Sequence, residues 1–225
     1  MSDRPILFSA PMVRALLDGR KTQTRRTLKF QPAPEISIVR TTIRPDDAEP
    51  FHSFERRSLY GNYAGEIEVR IKRGDRLWVK ETHAIVPRTA YRMSEGVQQT
   101  LRPGDDHDAA VYAASWEHSK PGRWRPSIHQ PRWASRLTLT VTDVRVERLQ
   151  DISEIDAIAE GCGQYSSSTK LSRPFNSDWK GSYREGYAEL WNQINGAGAW
   201  EANPWVAAYT FTVHHGNIDK IGGAA

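Results

Sequence analysis

Residues 9–26 read SAPMVRALLDGRKTQTRR, and this stretch predicts a short helix that runs directly into a cationic turn. Ser9 is a favourable N-cap, and Pro11 falls in the first turn, where a helix needs no backbone donor. Gly19 is placed to end the helix in the left-handed conformation. The apolar residues with the i, i+3, i+4 spacing of a buried helical stripe are Met12, Ala15 and Leu16.

The segment after Gly19 concentrates positive charge and hydroxyl groups, in Arg20, Lys21, Thr22, Thr24, Arg25 and Arg26. The C-terminal end of a helix is locally negative, so one or two cations there are ordinary. Four cations are more than compensation of the helix dipole requires. A lysine close to a threonine can activate the hydroxyl as a nucleophile, provided that the lysine loses its proton near neutral pH. Because Lys21 and Thr24 follow the helix outside its apolar stripe, we expect that replacing either with alanine opens no cavity in the core. A solvated basic loop is the alternative interpretation.

Gly19, Lys21 and Arg26 fall on the three fixed positions of a G-x-K-x-x-x-x-R signature, and the chain resembles the ASCH domains that carry it. These domains form a PUA-like superfamily of small β-barrels associated with RNA. Small bacterial members with the fuller G-R-K-T-x-T-x-R form are amidohydrolases that remove the acetyl group from N4-acetylcytidine. The resemblance implies that the catalytic lysine, threonine and glutamate are Lys21, Thr24 and Glu160.

Residues 74–82 and the end of the chain resemble longer ASCH proteins of bacteriophage and prophage genomes. Together with the motif, this implies that Arg20, Arg26, Trp78 and Glu81 bind substrate. The fold class expected is α+β: a PUA-like (ASCH) small β-barrel with flanking helices and a long loop-rich insertion. We expect one domain over residues 1–215, with the insertion at about 87–135 and a flexible tail at 216–225.

Glu160 closes a second predicted helix, which Ser153 caps and which covers residues 154–160. A carboxylate on the last helical turn is disfavoured by the helix dipole, so we expect a cationic partner for Glu160 from the cluster around Lys21. Elsewhere, residues 66–71 alternate between polar and apolar, and residues 76–81 resume as a strand, which predicts a hairpin.

The later part of the chain adds three simpler predictions. Residues 162–177 are rich in Ser and Thr and predict a linker. A helical stripe of Tyr183, Tyr187, Leu190, Trp191 and Ile194 ends at Asn195-Gly196. Alternating apolar residues at 205–213 predict a closing strand.

Charge and composition favour an anionic partner and a reducing compartment. The net charge is +4, yet residues 1–45 carry nine Lys and Arg against three Asp and Glu, which gives this segment +6. The single cysteine, Cys162, excludes an internal disulfide framework. There is no apolar run of membrane-spanning length and no Cys/His zinc pattern. We expect a cytoplasmic protein without membrane, metal or cofactor, whose partner is a modified nucleoside or nucleotide, or RNA.

Three functions compete at the level of sequence. The first is an amidohydrolase in which Thr24 attacks the acyl carbon, Lys21 carries the proton, and Arg26 and Arg20 hold negative charge. The second is a non-catalytic RNA-binding module that uses the same cations on phosphates and aromatic residues on bases. The third is a ribonuclease, but the histidines show no pair with an obvious acid–base spacing.

Overall fold

The structure, a computed structural model, describes residues 2–44, 51–163 and 181–221. Within these residues the helices are α1 (Ala10–Leu17), α2 (Glu154–Ala159) and α3 (Tyr183–Asn195). The strands are β1 (Asp3–Leu7), β2 (Gln23–Thr27), β3 (Ser37–Ile43), β4 (Phe51–Arg57), β5 (Tyr63–Glu66), β6 (Arg76–Lys80), β7 (His83–Pro87), β8 (Thr100–Leu101), β9 (Asp108–Tyr112), β10 (Leu137–Arg148) and β11 (Trp205–His215). The protein is therefore α+β and dominated by sheet, as expected, but the strands of the described residues form three sheets and none of them closes into the predicted barrel.

The chain divides into two compact units, each assembled from separate segments. Unit 1 comprises residues 1–22, 73–142 and 211–225, and unit 2 comprises residues 23–72 and 143–210. The long strands β10 and β11 each contribute residues to both units. Most of the predicted linker at 162–177 lies outside the described residues.

In unit 1 a sheet with the strand order β1-β6-β10 carries the first helix. β1 runs parallel to β6, with Ile6 opposite Val79, and β10 runs antiparallel to β6. Helix α1 begins after Ser9 and buries Val13, Ala15 and Leu16. Val13 thus takes the place predicted for Met12, which is only half-buried. Gly19 has the predicted left-handed conformation, with φ of +71°.

The predicted insertion at 87–135 is built around a second sheet of unit 1, with the order β7-β9-β8. β9 is almost wholly buried: Ala109 and Val111 pack against Ala84 and Val86 of β7, and Ala110 and Tyr112 pack with Ala134. Trp116 lies edge-on to Tyr91 and Trp124, with ring centroids 4.9 Å and 5.6 Å away. These rings pack against the apolar cluster of β7 and β9. The segment therefore has a core of its own.

Residues 216–221 are packed into unit 1, although the sequence predicts a flexible tail from residue 216. The side chain of Asn217 donates to the carbonyls of Arg132, Trp133 and Ser135, and Ile218 is fully buried. Asp219 forms a salt bridge with Arg132. The prediction fails for these residues because composition alone does not show that the amide of Asn217 bonds three backbone carbonyls of a distant segment. Residues 222–225 lie outside the described part of the chain.

Unit 2 contains the antiparallel pair β2–β11, a three-stranded sheet β3-β4-β5, and helices α2 and α3. Tyr187 and Trp191 of α3 pack in a buried cluster with Ala157 of α2 and Val206 of β11. Ser153 caps α2 as predicted, because its hydroxyl accepts from the backbone N–H of Asp156 at 3.1 Å.

The predicted hairpin of residues 66–71 and 76–81 is wrong. β5 pairs with β4, whereas β6 pairs with β1 and β10. Ile67 and Val69 are buried, as the alternation indicated, but they follow the end of β5. Alternation identifies a half-buried extended segment without identifying its partner, and this explains the error.

Candidate functional site

The predicted motif begins in unit 1 with a buried lysine. Lys21 is fully buried, its backbone N–H donates to the carbonyl of Ala15 at 3.0 Å, and its ammonium lies 5.6 Å from the centroid of the Phe8 ring. Thr24 in unit 2 is only 3% exposed. Replacing either with alanine would remove a buried side chain, so the expectation that no core cavity would open is wrong. The chain does not continue as a cationic turn but enters β2 at Gln23, and a strand carries side chains inward as well as outward.

Strand β2 presents two faces with different chemistry. Along its pairing with β11, Thr24 lies opposite Tyr209 and Arg26 lies opposite Ala207. Because side chains alternate along a strand and cross-strand partners share a face, Thr24, Arg26 and Tyr209 lie on one face. We call these three residues the Thr24 face. Gln23 and Arg25 point to the opposite face.

The opposite face of β2 holds a buried ion-pair network centred on Arg25. The guanidinium of Arg25 donates to Glu147 at 2.6 and 2.9 Å, to Asp156 at 3.1 Å and to Glu160 at 3.2 Å. A further bond runs to the side-chain oxygen of Gln23 at 2.6 Å. Both Glu160 and Glu147 raise the pKa of Arg25, although burial opposes them. One cation thus fixes three carboxylates from two elements.

Glu160 is the C-cap residue of α2 and is 3% exposed. The expected cationic partner for this carboxylate is present, and it is Arg25. On the same helix, Asp156 receives bonds from Arg25 and from Arg145. Burial raises the pKa of Asp156, but the hydrogen bond and charge of Arg145, with the charge of Arg25, outweigh burial and hold this pKa below its usual value.

The Thr24 face carries one cation, Arg26. Arg26 keeps exposed surface, and desolvation lowers its pKa against the opposing effects of Glu160, Tyr187 and Tyr209. Burial raises the pKa of Tyr209 to about 12, while the charges of Arg26 and Arg70 act in the opposite direction. The hydroxyl of Tyr209 therefore stays protonated at neutral pH and is a hydrogen-bond donor.

The other predicted substrate-binding residues lie in unit 1. Arg20 is exposed and forms a salt bridge with Asp18, two residues before it, at 2.7 Å. Trp78 is half-buried on β6, with the ammonium of Lys80 5.3 Å from its ring centroid. Glu81 is buried.

Both carboxylate oxygens of Glu81 accept from the guanidinium of Arg136, at 2.8 and 2.9 Å. Arg136 also donates to Gln98 and Ser115, and it stacks 4.1 Å from the ring centroid of Tyr112. Burial raises the pKa of Glu81, and Arg136 lowers it by a smaller amount. The carboxylate of Glu81 is thus committed to a buried ion pair, and binding a substrate would require breaking that pair.

The structure thus brings Thr24 and Arg26 together on one face and joins Glu160 to Arg25, all within unit 2. Lys21 precedes this group by three residues and belongs to unit 1. Sequence reasoning named Arg25 only as one of the cations around Lys21 that could pair with Glu160, and it gave no site role to Tyr209 or Arg136. Tyr209 could have been recognised as a strand residue from the alternating pattern at 205–213. Its position opposite Thr24 depends on the register of this strand against β2, which the sequence does not reveal.

Within residues 2–44, 51–163 and 181–221, no group of three or more His, Cys, Asp or Glu side chains is arranged to hold a metal ion. No helix in that part of the chain is long and apolar enough to cross a membrane.

Comparison with known proteins assigns no family. No protein-family model matches the chain, and neither a curated protein nor a solved structure matches it significantly.

Proposed function

We propose that the chain is an amidohydrolase that acts on a modified nucleoside or nucleotide, with N4-acetylcytidine as the model substrate, on a PUA-like (ASCH) fold. One observation carries the proposal: Lys21, Thr24 and Glu160, the three residues the motif implies, are all buried at 3% exposure or less. Buried polar groups of this kind are costly unless they are paired or used. Along the sequence, the buried Thr24 lies between the buried Lys21 and Arg26, and these residue types are those of an activated nucleophile and its charge-stabilising partner.

The chemistry follows from these residues. The Thr24 hydroxyl oxygen attacks the acyl carbon, and Lys21 accepts its proton. Negative charge develops on the acyl oxygen, where Arg26 stabilises it. The carbon–nitrogen bond then breaks, and Lys21 returns the proton to the leaving nitrogen. Water hydrolyses the acyl-threonine and regenerates Thr24.

Arg25 supports a role for Glu160 in this reaction. A carboxylate beside an amine favours the charged ammonium, which cannot act as a base. Glu160 is paired with Arg25 at 3.2 Å, and this contact fixes the carboxylate within unit 2. Glu160 can then orient Lys21 or bond to the exocyclic nitrogen of the substrate. The proposal requires that Glu160 and Lys21 meet at the same substrate.

A second candidate, a non-catalytic RNA-binding module, is favoured by an aromatic and basic surface in unit 2. Tyr60 is 91% exposed and Tyr63 is 59% exposed. The guanidinium of Arg57 lies 5.8 Å from the ring centroid of Tyr63. Exposed rings beside arginine are suited to stacking on unpaired bases.

Incubation of the purified chain with N4-acetylcytidine, and separately with single-stranded RNA, tests both candidates. We expect release of acetate and cytidine in stoichiometric amounts, and its loss in Thr24→Ala. Thr27→Ala is the matched control, because Thr27 is an exposed threonine on the same strand. Binding of RNA without hydrolysis of any acetylated substrate would favour the second candidate. Cleavage of the RNA would support the ribonuclease instead.

A further inference from the structure

The insertion of unit 1 exposes basic side chains around its aromatic cluster. Trp116 lies edge-on to Tyr91 and Trp124, with ring centroids 4.9 Å and 5.6 Å away, so the segments 91–95 and 116–125 meet at one ring. These two segments carry four Lys and Arg against two Glu, which gives them a charge of +2. All six charged side chains are exposed: Arg92, Glu95, Glu117, Lys120, Arg123 and Arg125.

Arg123 and Arg125 lie on the outer face of an extended segment. The backbone of Arg125 forms an antiparallel bridge with His83, in which its N–H donates to the His83 carbonyl at 2.7 Å and its carbonyl accepts from the His83 N–H at 3.2 Å. Trp124, between the two arginines, packs against the apolar cluster of β7 and β9. Because side chains alternate along extended backbone, Arg123 and Arg125 share the face opposite to Trp124. The bridge to His83 uses backbone atoms and does not occupy the guanidinium of Arg125.

Four cations of the insertion differ from its other arginines in their ion pairs. Arg88 pairs with Asp106, and Arg102 pairs with Asp108. No carboxylate of residues 2–44, 51–163 and 181–221 forms an ion pair with the cations that we call the insertion cations, namely Arg92, Lys120, Arg123 and Arg125. An anionic ligand can therefore pair with them without first breaking an ion pair of the protein.

The loops that carry the insertion cations are braced by their own contacts. Tyr91 has φ of +60°, in the left-handed region that a bulky side chain rarely adopts. Such a conformation persists only where the surroundings fix it, and here the carbonyl of Tyr91 accepts from the N–H of Ser94 at 3.0 Å while its ring packs on Trp116. The indole N–H of Trp116 donates to the carbonyl of Ser119 at 3.0 Å. Loops that are ordered beforehand lose less conformational entropy when they bind a ligand.

We propose that the insertion cations bind the phosphate backbone of a single-stranded polynucleotide. The inference goes beyond the proposed function, because binding at the insertion requires no hydrolysis and uses none of the residues of that reaction. Guanidinium groups match phosphate because their forked donors can bond two oxygens at once. Trp116 and Trp124 keep part of their surface exposed beside these cations. Aromatic rings contact unpaired bases, and this favours a single strand over a duplex or an acidic protein.

The test is fluorescence anisotropy with a labelled oligouridine of about 12 nucleotides, titrated at about 50 and 200 mM salt. The double variant Arg123→Gln/Arg125→Gln should weaken binding ~10-fold or more at the lower salt concentration. It should also make the slope of log K against log salt shallower by about 1.4, since each lost phosphate contact on a single strand removes about 0.7. Both side chains are exposed, so we expect the variant to fold, and thermal unfolding checks this.

The matched control is the double variant Arg88→Gln/Arg102→Gln. It removes the same charge from the same insertion, but from guanidinium groups that are already paired with carboxylates. It should therefore leave the salt slope at the wild-type value.

A wild type that does not bind the oligouridine, or a variant Arg123→Gln/Arg125→Gln with wild-type affinity and slope, would overturn the inference. Loss of binding only in Tyr60→Ala/Tyr63→Ala would place the polynucleotide on the aromatic surface of unit 2 and would overturn it as well. Equally tight binding of polyglutamate or of duplex RNA would show a surface for anions in general and contradict a single-strand site. Acetate release tests the hydrolase separately, so binding without hydrolysis would leave the insertion site standing.

Discussion

A guanidinium nitrogen of Arg25 lies 3.2 Å from a carboxylate oxygen of Glu160, and both side chains are almost fully buried. The pair joins β2 to the C-terminal end of α2. The pair fixes the position of Glu160, the carboxylate that the resemblance to ASCH domains implies is catalytic. The same contact therefore serves both the fold and the proposed reaction.

The first prediction concerns Arg25. Arg25→Met leaves three carboxylates facing each other without their cation, and we expect the free energy of unfolding to fall by about 3–5 kcal/mol. Arg25→Lys retains the charge but loses the branched guanidinium that bonds several carboxylates at once. In urea unfolding, it should therefore lower the free energy of unfolding by less than Arg25→Met does. Arg145→Lys serves as a control, because Arg145 also pairs with Asp156 but is about one-third exposed. This variant should lower the free energy of unfolding by about 1 kcal/mol or less. Arg25→Met as stable as the wild type would mean that the network contributes nothing.

The second prediction concerns Lys21 and Thr24 acting as one catalytic unit. Since Lys21 is fully buried, Lys21→Met is the suitable variant, because it keeps most of the side-chain volume without the amine. We expect Lys21→Met and Thr24→Ala each to lower kcat by ~10²-fold or more, and the double variant to be no slower than the worse single variant. Thermal unfolding checks that the variants are folded, and Lys29→Met, at an exposed lysine, is the control. Losses that multiply would show that the two residues act separately.

The third prediction concerns stability at acidic pH. The pKa of Asp156 is lowered in the folded state, so its carboxylate stabilises the fold above its unfolded pKa of about 3.9, and this stabilisation is lost as the pH falls through the folded pKa. Urea unfolding should show Asp156→Asn less stable than the wild type at pH 7. The difference should shrink steadily below about pH 4. A difference that stays constant down to pH 2 would contradict the lowered pKa.

The fourth prediction concerns His83 on β7, which is fully buried in unit 1. Its Nε2 atom has no hydrogen-bond partner among the described residues. Burial lowers the pKa of His83, with further lowering by Arg125, Lys80 and His129, whereas the carbonyl of Glu81 raises it. The unfolded chain therefore binds the proton more readily, and the wild type should lose stability as the pH falls below about 6.5.

His83→Phe removes the titrating group and should flatten the dependence of the unfolding free energy on pH between about 5 and 7. His118→Phe is the control, because His118 is exposed. If the unfolding free energies of His83→Phe and the wild type depend on pH with the same slope, a group other than His83 causes the loss of stability at low pH.

The sequence was informative where short-range chemistry decides the structure. The cap at Ser153 and the left-handed Gly19 depend on a few adjacent residues, and both were predicted correctly. The cationic partner of Glu160 could also be predicted, since a carboxylate at a helix C-terminus needs compensation.

What could not be predicted depends on partners that are distant in the chain. The burial of Thr24 follows from β2 entering a sheet beside residues some 180 positions later, as the pairing of Thr24 with Tyr209 shows. The strand pairing of the segment 66–71 and the packing of Asn217 could not be predicted for the same reason, because both depend on contacts with residues distant in the chain. Local periodicity indicates which side of a segment is buried, but not what covers it.

Because β11 supplies residues 205–210 to unit 2 and 211–215 to unit 1, neither unit can be completed during synthesis until this strand has been made. At typical translation rates of ~5–20 residues per second, residues 1–22 would wait about 10–40 s for their last partners. During that interval the apolar face of α1 and the strands beside it have no finished sheet to cover them. The nascent chain should therefore be a client for ribosome-associated chaperones, and its yield should depend on them more than that of a protein whose units are contiguous in sequence.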